Sequence, residues 1–158
     1  MSSMRQRAAQ GLKAGDVFTI TRTFSLSETE AFGDLTLDYN PVHYDPDWAG
    51  SKGFSGLILH GLLTAGMVCQ VGGQVAWLAT RMSFAFRGPV YPGDTITCIV
   101  TVLSVDQLGW AKAEAMFTNQ DGKVVVTGEM EGQVPAGQGQ ELLSQRLAQG
   151  DPYNRLSD

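Results

Sequence analysis

The chain has 158 residues, 43% of them hydrophobic and 17% charged, with a formal net charge of −5 at pH 7. A chain of this length forms one domain around one core, and an acidic balance without a clustered basic face argues against nucleic acid or an anionic membrane as partner. Cys69 and Cys98 show no C-x-x-C or Cys/His ligand spacing, so they read as buried free thiols in a site without a metal.

Residues 1–15 lack the charged start and apolar core of a secretory signal, so they are expected to form a frayed N-terminal extension of a cytoplasmic protein. Residues 16–24 carry the β-branched content of a strand. Ser27-Glu28-Thr29-Glu30 fits a capping box for a short helix reaching about Leu37. Asp45-Pro46 opens a second short helix, with Asp as cap and Pro at the first helical position, that stops near Gly50. Residues 62–79 place Leu62, Leu63, Ala65, Met67, Val68, Val71, Val75 and Trp77 around most of a helical circumference, which predicts a five-turn helix wrapped on all sides. Residues 57–79 are the only candidate membrane span, and His60, Gln70, Gln74 and several glycines make them read better as a helix buried in protein.

Downstream, Ile96, Cys98, Val100 and Val102 alternate with threonines, Ala111, Ala113, Ala115 and Phe117 alternate with polar residues, and 124–134 alternates again. These are three half-buried strands, separated by turns at 106–109 and 119–122. The tail from Ala136 is rich in Gly and Gln, with a loosely attached helix expected over 141–148. One apolar helix with four or five antiparallel strands makes an α+β domain over residues 16–135, in which the sheet and the helix cover each other, followed by a tail at 136–158.

The chemistry is concentrated in Asp38-Tyr39-Asn40-Pro41-Val42-His43. Pro41 fixes its own φ and biases Asn40 toward an extended conformation, so the segment is bent in advance and can aim a carboxylate and an imidazole at one small volume. Such a pair can hold one water and pass its protons. Read alone, the six residues also fit a surface turn. At average composition, however, a chance match to Asp-x-Asn-Pro-x-His is on the order of one in a few thousand for a chain this long.

Further landmarks follow in order. Phe32 lies upstream of the turn and Ala49 downstream; His60-Gly61 comes seventeen residues past His43; Phe84 precedes Pro89-Val90-x-Pro92-Gly93-Asp94. In these landmarks the chain resembles the MaoC-like hydratases of the hot-dog superfamily, and within them the (R)-specific enoyl-CoA hydratases. The resemblance implies a hot-dog fold, a curled antiparallel sheet around one long helix. It also implies a trans-2-enoyl thioester substrate, hydrated reversibly to an (R)-3-hydroxyacyl thioester.

On that reading Asp38 is the base, His43 orients the water and relays its proton, and the Gly61 N–H at the helix start bonds the thioester carbonyl as it gains charge. Asn40, His60 and Cys69 are pocket or supporting residues. Two positions depart from the family pattern: Leu37 stands where many members have Gly, and Cys69 stands where a Ser lies near the dyad. Coenzyme A enters as part of the substrate, with no other cofactor, and Lys52, Arg81 or Arg87 is expected to meet its phosphates. The family's site lies between subunits, which implies a homodimer. The alternatives are a dehydratase acting on acyl carrier protein, a hot-dog thioesterase, and a non-catalytic acyl-CoA binder.

Overall fold

The computed structural model describes residues 3–156, so residues 1, 2, 157 and 158 of the expected extension and tail lie outside the described residues. Five antiparallel strands, β1 (Val17–Thr23), β2 (Leu78–Phe86), β3 (Thr95–Val105), β4 (Trp110–Thr118) and β5 (Val124–Gln133), form one sheet in the order β1-β3-β4-β5-β2. The α+β architecture is the hot-dog arrangement that the resemblance implies. Alternation works as expected in the central strands: Ile96, Cys98, Val100 and Val102 of β3 and Ala111, Ala113, Ala115 and Phe117 of β4 all turn inward. Across that pair Val100 faces Ala115 and Val102 faces Ala113. The alanines keep the inner face open for helical cover.

That cover differs from the single long helix expected over 62–79. It consists of α4 (Gly61–Ala65) and α5 (Met67–Gln74), joined at Gly66, and it ends where Ala76 adopts a positive φ of 52°. Met67, Val68, Val71 and Val75 are buried, but Leu62 and Cys69 are exposed, so the helix is not wrapped on every side. Leu78 and Ala79, read as helix, open β2 instead. The expectation failed because a continuous apolar run has no period to mark where helix gives way to strand. Cys98 is buried, and burial pushes its thiol pKa up to about 12.

The described segments near the two ends of the chain are better anchored than expected. Ser3 and Gln6 form a capping box at the start of α1 (Met4–Gln10), Ala8 is fully buried, and Arg7 pairs with Asp16 at 2.7 Å while lying over the Phe18 ring. Helix α6 (Gln138–Ala148) packs on α1, and its Leu143 is buried in the core. Arg5 pairs with Asp151 at 3.1 Å, and Gln74 and Asn154 exchange side-chain hydrogen bonds. Among the described residues no helix is long and apolar enough to cross a membrane.

Candidate active site

Helix α2 (Leu26–Thr36) delivers the first catalytic candidate. Its capping box is made by Ser25 and Glu28 and not by Ser27 and Glu30. Both pairs satisfy the same S-x-x-E spacing, but Arg22 on β1 bonds Glu28 and holds it at the helix start. The helix ends at Leu37, whose backbone is left-handed (φ 60°, ψ 26°) while its side chain is 75% exposed. A left-handed conformation costs a non-glycine residue roughly 1–2 kcal/mol. Because so little packing would be lost, Leu37→Gly is expected to stabilise the fold by about 1 kcal/mol, read as a rise in thermal midpoint of about 2–4 °C.

The next six residues form the bent segment that the sequence announces. The Asp38 carboxylate accepts the Asn40 N–H at 3.2 Å, the Asn40 side chain accepts the Val42 N–H, and Pro41–His43 makes one 3-10 turn. Asp45 then caps α3 (Pro46–Ser51) by accepting the N–H groups of Asp47 and Trp48. Asn40 is exposed and supports the turn without lining the cavity. Gly33 matters for its missing side chain: a Cβ there would fall 1.7 Å from the Tyr44 hydroxyl, which itself donates to the Asp38 carbonyl at 3.4 Å.

His43 is only 7% exposed, and its Nδ1 donates to the Ile58 carbonyl at 2.8 Å. A carbonyl can only accept, so Nδ1 carries the proton and Nε2 of the neutral ring keeps its lone pair. Burial holds the His43 pKa below its ordinary value and the neighbouring His60 pushes the same way, against the opposing effects of the Ile58 bond and Asp38. His60, 1% exposed, donates from Nε2 to the Asp38 carbonyl at 2.9 Å. The two imidazoles stack with centroids 3.7 Å apart and planes 26° from parallel.

Donor atoms of Asp38, His43 and His60 lie within 4.8 Å of one another. That spacing lets one water bridge the carboxylate and an imidazole. It suits a cation poorly, because His43 Nδ1 and His60 Nε2 are both already committed to carbonyls.

These groups open into a cavity of about 570 Å³ with apolar walls that include Phe32, Phe54, Ile58, Leu62 and Phe86. The volume falls in the usual range for small-molecule sites. Gly61 lines it too; its N–H has no acceptor among the described residues, and a Cβ would lie 2.6 Å from the Phe86 ring. The third landmark reaches the cavity through Pro89 and Val90, with the Val90 carbonyl accepting the Leu59 N–H at 2.7 Å. Phe84 does not reach it and covers Gly128 instead.

Cys69 is placed elsewhere. It is exposed on α5 and lines a separate apolar cavity of about 190 Å³ with Trp77 and Met82. Sequence reasoning did not find Ile58, Tyr44, Gly33 or Phe86. Ile58 acts through its backbone and the others through contacts with distant segments, so no local pattern marked them.

Comparison with known proteins gives a consistent picture. The family model for the MaoC like domain matches residues 8–122. The (R)-specific enoyl-CoA hydratase of Aeromonas caviae is 34% identical over 128 residues, spanning 77% of this chain and 95% of that protein. A mitochondrial 3-hydroxyacyl-[acyl-carrier-protein] dehydratase of Arabidopsis thaliana is 32% identical over 124 residues, 75% of each. The solved structure of the (R)-hydratase from A. caviae superposes with a TM-score of 0.74 at 30% identity, covering 80% of this chain and 99% of that one. With the family model spanning most of its length and two relatives aligned across three-quarters of it, this chain belongs to the MaoC-like domain family.

Proposed function

We propose that this chain is a hydro-lyase that adds water reversibly to a trans-2-enoyl-CoA to give an (R)-3-hydroxyacyl-CoA. The observation that carries the reading is the convergence of a carboxylate and a neutral imidazole, within water-bridging reach, in one apolar cavity with an unpaired backbone N–H. Conjugation with the thioester makes carbon 3 electrophilic. Asp38 and His43 Nε2 each accept one hydrogen of the bridging water, which leaves an oxygen lone pair for carbon 3. As the C–O bond forms, the double-bond electrons move to the carbonyl oxygen, where the Gly61 N–H stabilises the enolate. The proton left on the dyad returns to carbon 2 from the same face, and the addition is syn. No group beyond these residues and the substrate is called for.

Of the three cations considered for the carrier, Arg87 lines the cavity, whereas Lys52 lies over the Trp48 ring. Arg87 has no carboxylate partner among the described residues, and its Nε bonds Thr127 at 3.3 Å. A dehydratase acting on acyl carrier protein is the second reading, favoured by the plant relative. A homodimer suits the exposed edge strand β2, where Leu78, Met82 and Phe86 face solvent and Phe86 also reaches the cavity. Both cysteines are free thiols, which suits a reducing compartment such as the cytoplasm.

The test is incubation of the purified protein with crotonyl-CoA, following loss of enoyl-thioester absorbance, release of free thiol and chirality of the product. Hydration to the (R)-alcohol without thiol release is expected; thiol release would mark a thioesterase, and no turnover a binder. Arg87→Gln is expected to raise KM for crotonyl-CoA about tenfold, the effect of one charge-assisted hydrogen bond, and to leave the corresponding pantetheine thioester, which has no phosphate, unaffected. A turnover preference for crotonyl-acyl carrier protein over crotonyl-CoA would favour the second reading.

A further inference from the structure

His60 touches both members of the dyad, but its Nε2 proton is committed to a backbone carbonyl. Its Nε2 is 2.9 Å from the backbone carbonyl of Asp38 and 3.9 Å from the nearer carboxylate oxygen, and its ring lies flat against His43. Phe32 and Tyr44 pack on the same ring, with centroids 5.3 Å and 6.1 Å away. The ring is thus clamped between the helix that leads into Asp38 and the turn that carries His43.

Its two nitrogens are treated very differently. Nε2 must carry a proton, because the Asp38 carbonyl only accepts. Nδ1 is buried and has no hydrogen-bond partner. A proton there as well would leave a buried donor with no acceptor, face to face with a second imidazole, and an unsatisfied buried donor is costly. Without a proton Nδ1 presents only a bare lone pair, which is far cheaper to bury. His43 is the mirror case, with its proton on Nδ1.

We infer that His60 is a positioning residue for the hydration reaction: with its proton on Nε2, opposite to the arrangement in His43, it fixes the Asp38 backbone and the His43 ring plane so that carboxylate and imidazole meet around one water. The inference rests on the proposed hydratase reading for its kinetic consequence, but the tautomer is a property of the resting protein. Loss of the Nε2 donor leaves the Asp38 carbonyl with only the longer Tyr44 bond. Asp38 follows a strained residue, and its other bonds, from its N–H to the Gly33 carbonyl and from the Asn40 N–H to its carboxylate, are both longer at 3.2 Å.

Two measurements decide it. The chain contains only two histidines, so a long-range 1H–15N spectrum of the full-length protein at pH 7 resolves both rings, with His60→Gln giving the assignment. One ring protonated at Nδ1 and the other, His60, at Nε2 is expected; a His60 that carries a proton at Nδ1 overturns the inference. In kinetics with crotonyl-CoA, His60→Leu is expected to lower kcat about 10–100-fold while KM changes less than about threefold.

His60→Gln, whose amide can donate from near the Nε2 position, is expected to regain most of that loss. Equal kcat in His60→Leu and wild type, or no rescue by Gln when both variants melt normally, also overturns it. Should His60→Leu fail to fold, the spectrum and the Gln variant still decide. Absence of hydration by the wild-type protein would instead sink the hydratase reading and leave the tautomer assignment to stand or fall on the spectrum.

Discussion

Asp38→Asn is expected to lower kcat for hydration of crotonyl-CoA by at least ~10²-fold, the usual contribution of a positioned acid/base group. The amide has nearly the shape of the carboxylate but cannot take a proton from the bridging water. Its side chain is about half exposed, so the melting temperature should barely move. His43→Asn is expected to cost as much, because an asparagine amide can still donate to the Ile58 carbonyl but offers nothing where Nε2 stood. Near wild-type turnover in either variant would remove the two-acceptor mechanism.

The pH dependence follows from the same geometry. His43 must be neutral to act, and burial holds its pKa below the ordinary value, so the acid limb of kcat/KM is expected below pH about 6.5. The sign for stability is the reverse of that for a paired cation. Below about pH 6.5 the unfolded chain binds a proton at this position that the folded chain still refuses, so stability falls as pH drops, until the folded imidazole is itself protonated. Denaturant titrations at pH 7 and pH 5.5 should show a smaller acid penalty in His43→Asn than in wild type.

The second large effect is expected at Gly61. A methyl group there would sit 2.6–3.0 Å from three carbons of the Phe86 ring, closer than real side chains approach. Overpacking of this kind costs about 1–3 kcal/mol where the neighbours cannot yield. Phe86 is on an edge strand and half exposed, so it can swing aside, but it then vacates a cavity wall or displaces the backbone that presents the N–H. Gly61→Ala should therefore lower kcat/KM by about 10²-fold, in the range for loss of one oxyanion donor. Pairing it with Phe86→Leu separates the causes: recovery means the ring clash was responsible, whereas persistent loss points to the shifted N–H. A single Gly61→Ala variant with wild-type kinetics would remove Gly61 from the mechanism.

Much of the site was legible locally because its devices are local. Asn-Pro in the turn, Asp45 before Pro46, and the alternation of β3, β4 and β5 all act over a few residues, and each appears in the structure where the sequence reading puts it. The two S-x-x-E matches at 25–28 and 27–30 were locally equivalent, and only the Arg22 bond from β1 chose between them. The break at Gly66 and the start of β2 were hidden for a related reason. An apolar run satisfies a buried helix and a strand alike, and β2, as an edge strand largely open to solvent, lacks the alternation that a half-buried strand would show.

By itself, then, the sequence determined that Asp38 and His43 share a rigid bend, that one α+β domain surrounds them, and which family landmarks accompany them. Only the tertiary structure decided that His60 stacks on His43 and bonds the Asp38 carbonyl, that Ile58 sets the His43 tautomer, that Phe86 closes over Gly61, and that Cys69 stands away from the cavity. The division has one physical cause. Turn and cap preferences are written in the dihedral and hydrogen-bonding habits of adjacent residues, whereas a ring stack or a bond to a backbone carbonyl 15 or 22 positions away exists only after the chain has closed on itself.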